Sequence, residues 1–197
     1  MMKRLSTVVS VVAILAVALP AAADSFFRTN RKNVYVFGGK SMTGRIGQAD
    51  IEALNFEFGR ATNSRFEFGT VLATMNIRQL KSGYGDQFGE GSHNVSAISS
   101  SLFVRYHFGN DSRRVRPFVE LSSGPVWSEK RVPAGTSRIN FISQGGFGVT
   151  IRPRERYGFI VGWRFGHISN GGIEADKNPG YNTNALVLGL QLRPMPR

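Results

Sequence analysis

Along most of the chain, apolar and polar residues alternate with a period of two, the spacing of strands with unlike faces. In Asp50–Arg60, Leu54, Phe56 and Phe58 share one face against Asn55 and Glu57. In Arg65–Met75, Phe66, Phe68 and Leu72 oppose Arg65 and Glu67. In Ser96–Phe108, Ile98, Leu102, Val104, Tyr106 and Phe108 oppose Ser99, Ser101, Arg105 and His107. In Tyr157–Ser169, Phe159, Val161, Trp163 and Phe165 oppose Gly158, Gly162, Arg164 and Gly166. In Asn184–Leu192, Leu186, Leu188, Leu190 and Leu192 oppose Ala185, Gly189 and Gln191. Weaker alternation in Val34–Gly39, Val115–Trp127 and Asn140–Arg152 brings the predicted strands to eight. An even count is what a closed up-and-down barrel requires.

The other face carries Arg65, Glu67, Arg105, Glu120, Arg164 and Gln191. An eight-stranded barrel has an interior only wide enough for side chains, where opposite charges can pair. The aromatic and leucine faces then form a band for lipid. The pattern therefore predicts an all-β fold, an eight-stranded antiparallel up-and-down transmembrane β-barrel, over residues 24–197. A soluble lipocalin-like barrel, with its apolar face inward, is the alternative.

Connections at Ala61–Ser64, Gly109–Arg114 and Pro153–Arg156 are short, and those at Asn76–Asn94, Ser128–Ile139 and Asn170–Thr183 are long. Short periplasmic turns alternate with long outer loops in outer-membrane barrels, so this order sets the direction of insertion. Lys40–Ala49 falls on the outer side.

The first residues do not belong to this pattern. Lys3 and Arg4 precede an apolar run from Leu5 to Leu19, then Pro20 and Ala21–Ala23. That is the organisation of a secretory signal peptide over residues 1–23, and the run is short for a spanning helix. With no cysteine there is no disulfide framework and no thiolate. The formal charge is +12, and taking away Lys3 and Arg4 leaves +10. Such a balance suggests an anionic partner. Export argues against nucleic acid and for anionic lipid or phosphorylated glycolipid. Arg113, Arg114, Arg116, Arg152, Arg154, Arg156, Arg193 and Arg197 are expected as a solvated or headgroup-facing periplasmic rim. Lys81, Lys130, Arg131, Arg138 and Lys177 fall in outer loops, near lipid phosphates.

Candidate chemistry lies at Phe165–Gly172, FGHISNGG. His167 and Ser169 share the odd parity of Phe159, Val161, Trp163 and Phe165, so both are predicted on the outer wall at the membrane boundary. Two residues apart on a strand, they lie on one face. Asn170, Gly171 and Gly172 supply backbone N–H groups and an amide, the parts of an oxyanion hole. His93 is expected in a loop and His107 inside the barrel, neither at metal-ligand spacing. No phosphate loop, dinucleotide fingerprint or GxSxG elbow occurs, so neither metal nor cofactor is expected.

The run Gly166–Ile173, followed by Asn178-Pro-Gly-Tyr-Asn182 and a final strand, resembles the outer-membrane lipid A 3-O-deacylases. The resemblance implies a serine esterase that hydrolyses the ester-linked 3-hydroxyacyl chain at position 3 of lipid A. It implies Ser169 as nucleophile, His167 as general base, and Asn170, Gly171 and Gly172 as oxyanion donors. The family pattern carries a Glu that orients the histidine. Aligned on the Asn-Pro-Gly turn, that position is Asn182, with Glu174 or Asp176 as alternatives. Trp163 and Phe165 are candidates for the acyl groove or for an aromatic girdle. The partners implied are lipopolysaccharide and outer-membrane lipids, and a homodimer through the lipid-facing wall is open. The competing reading is a non-enzymatic structural or binding barrel; a phospholipase or acyltransferase would differ only in substrate.

Overall fold

The structure, a computed structural model, describes residues 31–41, 49–62, 65–79, 93–133, 137–153, 157–172 and 180–192, with residues 31–41 and 93 described by backbone alone. The signal-peptide segment, Glu174, Asp176, Lys81, Lys177, Arg154, Arg156, Arg193 and Arg197 lie outside the described residues. The elements are β1 (Arg31–Ser41), β2 (Ala49–Ala61), β3 (Phe66–Gln79), β4 (His93–His107), β5 (Val115–Ser128), β6 (Ile139–Ile151), β7 (Tyr157–Ser169) and β8 (Gly180–Leu192). Each pairs antiparallel with the next, and β1 pairs with β8 to close the barrel. Closure leaves no sheet edge, the condition for placing a β-sheet in hydrocarbon.

The outward face is apolar. Leu54, Phe58, Leu102, Leu121, Phe147, Phe159, Phe165, Leu188 and Leu190 are all exposed. So large an apolar surface is a liability in water and a fit in lipid. Phe66, Tyr106 and Phe108 pack edge-to-face at centroid separations of 5.0 Å near the short-turn end. The interior is charged where the alternation is strongest. Arg105 donates to Glu120 at 2.8 Å and to Glu57 at 2.7 Å, and Arg164 donates to the same two carboxylates. His107 Nε2 lies 2.9 Å from Glu67 Oε2. Each buried charge thus has opposite charges beside it, the condition under which burial is tolerated. The soluble alternative, which needs an apolar interior and a polar wall, does not match this distribution.

Three features differ from the sequence expectation. Arg65 has interior parity, yet it is exposed and donates weakly to Tyr106 Oη at 3.4 Å. It precedes β3 at a turn, where the strand no longer constrains it. Arg116 and Arg152 are buried rather than solvated at the rim. Both donate to Asp111 Oδ1, at 2.7 and 3.1 Å, and Arg152 also donates to the carbonyl of Arg113 at 2.9 Å. They close the short-turn end of the barrel.

The interior is also not polar throughout. At the long-loop end, Ile51, Met75, Ile77, Val95, Val126, Ile142, Ile168 and Tyr181 form one buried apolar cluster. Above it, Tyr181 Oη donates to Gln79 Oε1 at 2.8 Å, and Gln79 Nε2 donates to the carbonyl of Arg131 at 3.1 Å. The barrel is filled in layers, charged towards the short-turn end and apolar towards the long-loop end.

Candidate active site

β7 and β8 carry the site. The alternation in β7 buries Arg164, Gly166 and Ile168 and leaves Phe165 and His167 exposed, with Ser169 half-buried. His167 is therefore on the outer wall, as its parity predicts, and Ile168 between it and Ser169 anchors the strand in the apolar cluster. With the barrel filled behind this point, the site is open only from outside.

The β7–β8 register pairs His167 with Asn182 and Ser169 with Gly180. His167 Nδ1 lies 2.7 Å from Asn182 Oδ1. An amide oxygen accepts, so in the neutral ring Nδ1 is the protonated nitrogen and Nε2 the acceptor. The other end of the ring lies over Gly180. A Cβ on Gly180 would sit 2.3 Å from His167 Cε1 and 2.8 Å from Nε2. Nε2 thus points along the wall towards the rung that holds Ser169. Gly180 gives the ring this space, a role that sequence spacing does not reveal because it depends on cross-strand register.

Beyond Ser169 the chain turns at Gly171 and Gly172, with φ of +63° and +77°, angles that favour glycine. Asn170 is fully buried. Its Oδ1 accepts from the Gly172 N–H at 2.9 Å, and its Nδ2 has no partner among the described residues. The structure therefore brings together His167, Ser169, Asn182 and the Asn170–Gly172 bend. It engages the Gly172 N–H with Asn170 rather than leaving it open. His107 lies deep inside on Glu67, as expected, whereas His93 opens β4 instead of falling in a loop. Among the described residues no group of three or more His, Cys, Asp or Glu side chains is placed to hold a metal ion.

A family profile described as lipid A 3-O-deacylase (PagL) matches residues 54–191. The chain belongs to the PagL family of lipid A 3-O-deacylases. The match spans β2 to β8 and includes every site residue above. Among solved structures, the outer membrane enzyme PagL is similar at 19% identity and a TM-score of 0.53, over 80% of this chain and 97% of that one. Neisserial surface protein A is similar at 13% identity and 0.55, over 82% and 95%. OprG from Pseudomonas aeruginosa is similar at 11% and 0.52, over 84% and 96%. At these identities the structures speak to the fold, which is that of outer-membrane barrels. No curated protein matches the chain in sequence. Membership in the PagL family makes this an outer-membrane protein of a lipid A deacylase family, and the band of exposed apolar residues is its lipid-facing wall.

Proposed function

We propose that the chain hydrolyses the ester-linked 3-hydroxyacyl chain at position 3 of lipid A, with Ser169 as nucleophile and His167 as general base. The contact between His167 Nδ1 and Asn182 Oδ1 carries the reading, because it leaves Nε2 basic and turned towards the Ser169 rung. Nε2 takes the Ser169 proton as Oγ attacks the ester carbonyl carbon. The tetrahedral oxyanion takes hydrogen bonds from Gly171 N–H, from Asn170 Nδ2, which has no partner among the described residues, and from Gly172 N–H, where it replaces Asn170 Oδ1. Collapse breaks the bond to the sugar oxygen, which leaves with the proton from Nε2. Water, deprotonated by His167, then attacks the acyl-Ser169 ester and releases the hydroxy fatty acid.

Asn182 holds the imidazole in its tautomer and orientation but brings no charge to balance an imidazolium. The reading uses Asn182 as the third member; Glu174 and Asp176 are the other candidates. Mass spectrometry of lipid A from cells expressing the protein is the test. Loss of one hydroxyacyl chain, abolished by Ser169→Ala and by His167→Ala in folded, inserted protein, is expected. Unmodified lipid A would favour a non-enzymatic barrel, and activity retained in Ser169→Ala would overturn the assigned nucleophile.

A further inference from the structure

A polar pair sits on the lipid-facing wall that the reaction above does not use. Ser123 Oγ and Ser143 Oγ lie 2.9 Å apart, and both residues are exposed. Two hydroxyls bonded to each other spend one donor and one acceptor, leaving an O–H and further lone pairs. Facing hydrocarbon, those groups are costly unless a polar partner arrives.

Register places the pair beside the site. Ser123 is opposite Ser143, Ser143 opposite His167, and His167 opposite Asn182. Four polar side chains thus follow one line across β5–β8, with Ser143 flanking His167 on the side away from Asn182. Next to the serines the wall carries a shallow, open groove over β3–β6, lined by Phe68, Leu102, Leu121 and Gly145 together with both serines. The groove lies on the β6 side of His167, away from Trp163, which packs at 6.5 Å from the Phe165 ring.

The geometry points to Ser123 and Ser143 as the recognition element for the 3-hydroxyl of the acyl chain that is removed, with the groove holding the hydrocarbon beyond it. The assignment rests on the deacylase reading and names what that site selects. Ser143 is the next residue on the outer face of β6 after Phe141, the partner of Ser169. A diagonal neighbour of this kind lies ~7–8 Å away. A carbonyl at Ser169 places a 3-hydroxyl two carbons further along the chain, and a hydrogen bond covers the remainder. An unsubstituted acyl chain leaves the serine pair without that partner.

The test uses full-length protein folded in detergent–lipid micelles and two synthetic lipid A esters that differ only in the 3-hydroxyl. Wild type is expected to cleave the hydroxyacyl ester roughly fivefold faster or more, the worth of about one hydrogen bond. In Ser123→Ala/Ser143→Ala the ratio of the two rates should fall to near one. A wild-type ratio near one, or a double variant that keeps the wild-type ratio, overturns the assignment. The groove is tested separately by Gly145→Met. A Cβ there meets only Leu121 Cδ2, at 3.4 Å, so the longer side chain is accommodated and projects into the groove. Preference should shift to shorter acyl chains, and an unchanged chain-length profile in folded protein counts against the groove. Wild type inert on both esters overturns the deacylase reading itself, whereas wild type active but indiscriminate overturns hydroxyl recognition alone.

Discussion

The Nδ1 atom of His167 lies 2.7 Å from the Oδ1 atom of Asn182, its partner across the β7–β8 ladder. An amide in this position orients the base without sharing its charge. Asn182→Ala should therefore lower kcat by about 10- to 100-fold, the usual loss when an orienting partner is removed. Asn182→Asp restores a carboxylate behind the imidazole and should raise kcat above wild type. Single-turnover rates on purified lipid A check both; an Asn182→Ala variant as fast as wild type would transfer the role to Glu174 or Asp176.

Gly180 is expected to tolerate no side chain. The Cβ of Gly180→Ala would lie 2.3 Å from His167 Cε1, so the ring must move off the Ser169 rung. A loss of at least tenfold in kcat is expected, with the folded barrel retained, because Gly180 is at the end of β8. Heat-modifiable migration in gels reports the fold and lipid A hydrolysis reports the rate.

Asn170 can be separated into two functions. Asn170→Asp keeps an oxygen to accept from Gly172 N–H and removes the Nδ2 donor. Loss of one oxyanion donor costs about 10²–10³ in kcat, with KM little affected. If Asn170→Asp retains wild-type kcat, Asn170 only shapes the bend.

The buried charges make a stability prediction. Glu57 accepts from both Arg105 and Arg164, and removing it leaves cationic groups short of a partner inside the barrel. Glu57→Leu should destabilise the fold by about 3–5 kcal/mol. The midpoint of urea unfolding in lipid vesicles measures this. Replacing Arg164 by Met in the same chain should recover part of the loss, since the cluster then sheds one charge of each sign.

Parity was the strongest signal in the sequence. Side chains alternate across a strand, so Leu54, Phe56 and Phe58 against Asn55 and Glu57 announce which residues meet lipid and which the interior. The same count puts His167 on the outer wall, where the structure has it. It could also have placed Arg116 inside, since it shares parity with Phe118 and Glu120, but nearness to a turn suggested a rim instead. The apolar cluster around Ile77, Ile142 and Ile168 was not legible. At these strand ends the alternation inverts: Ile51, Met75, Ile77 and Val95 face inward while Glu52, Asn76, Arg78 and Asn94 are exposed, so polarity no longer marks the interior face.

By itself, the sequence determined the strands, their facing and the short run that carries the candidate nucleophile and base, because these follow from local periodicity and spacing. Only the tertiary structure decided what stands beside that run. His167 meets Asn182 and Gly180, and Ser143 lines up with them, through the registers of β6, β7 and β8. Register is set by the packing of whole strands around a closed barrel, so a one-residue slip would change every one of these neighbours while leaving the sequence pattern intact.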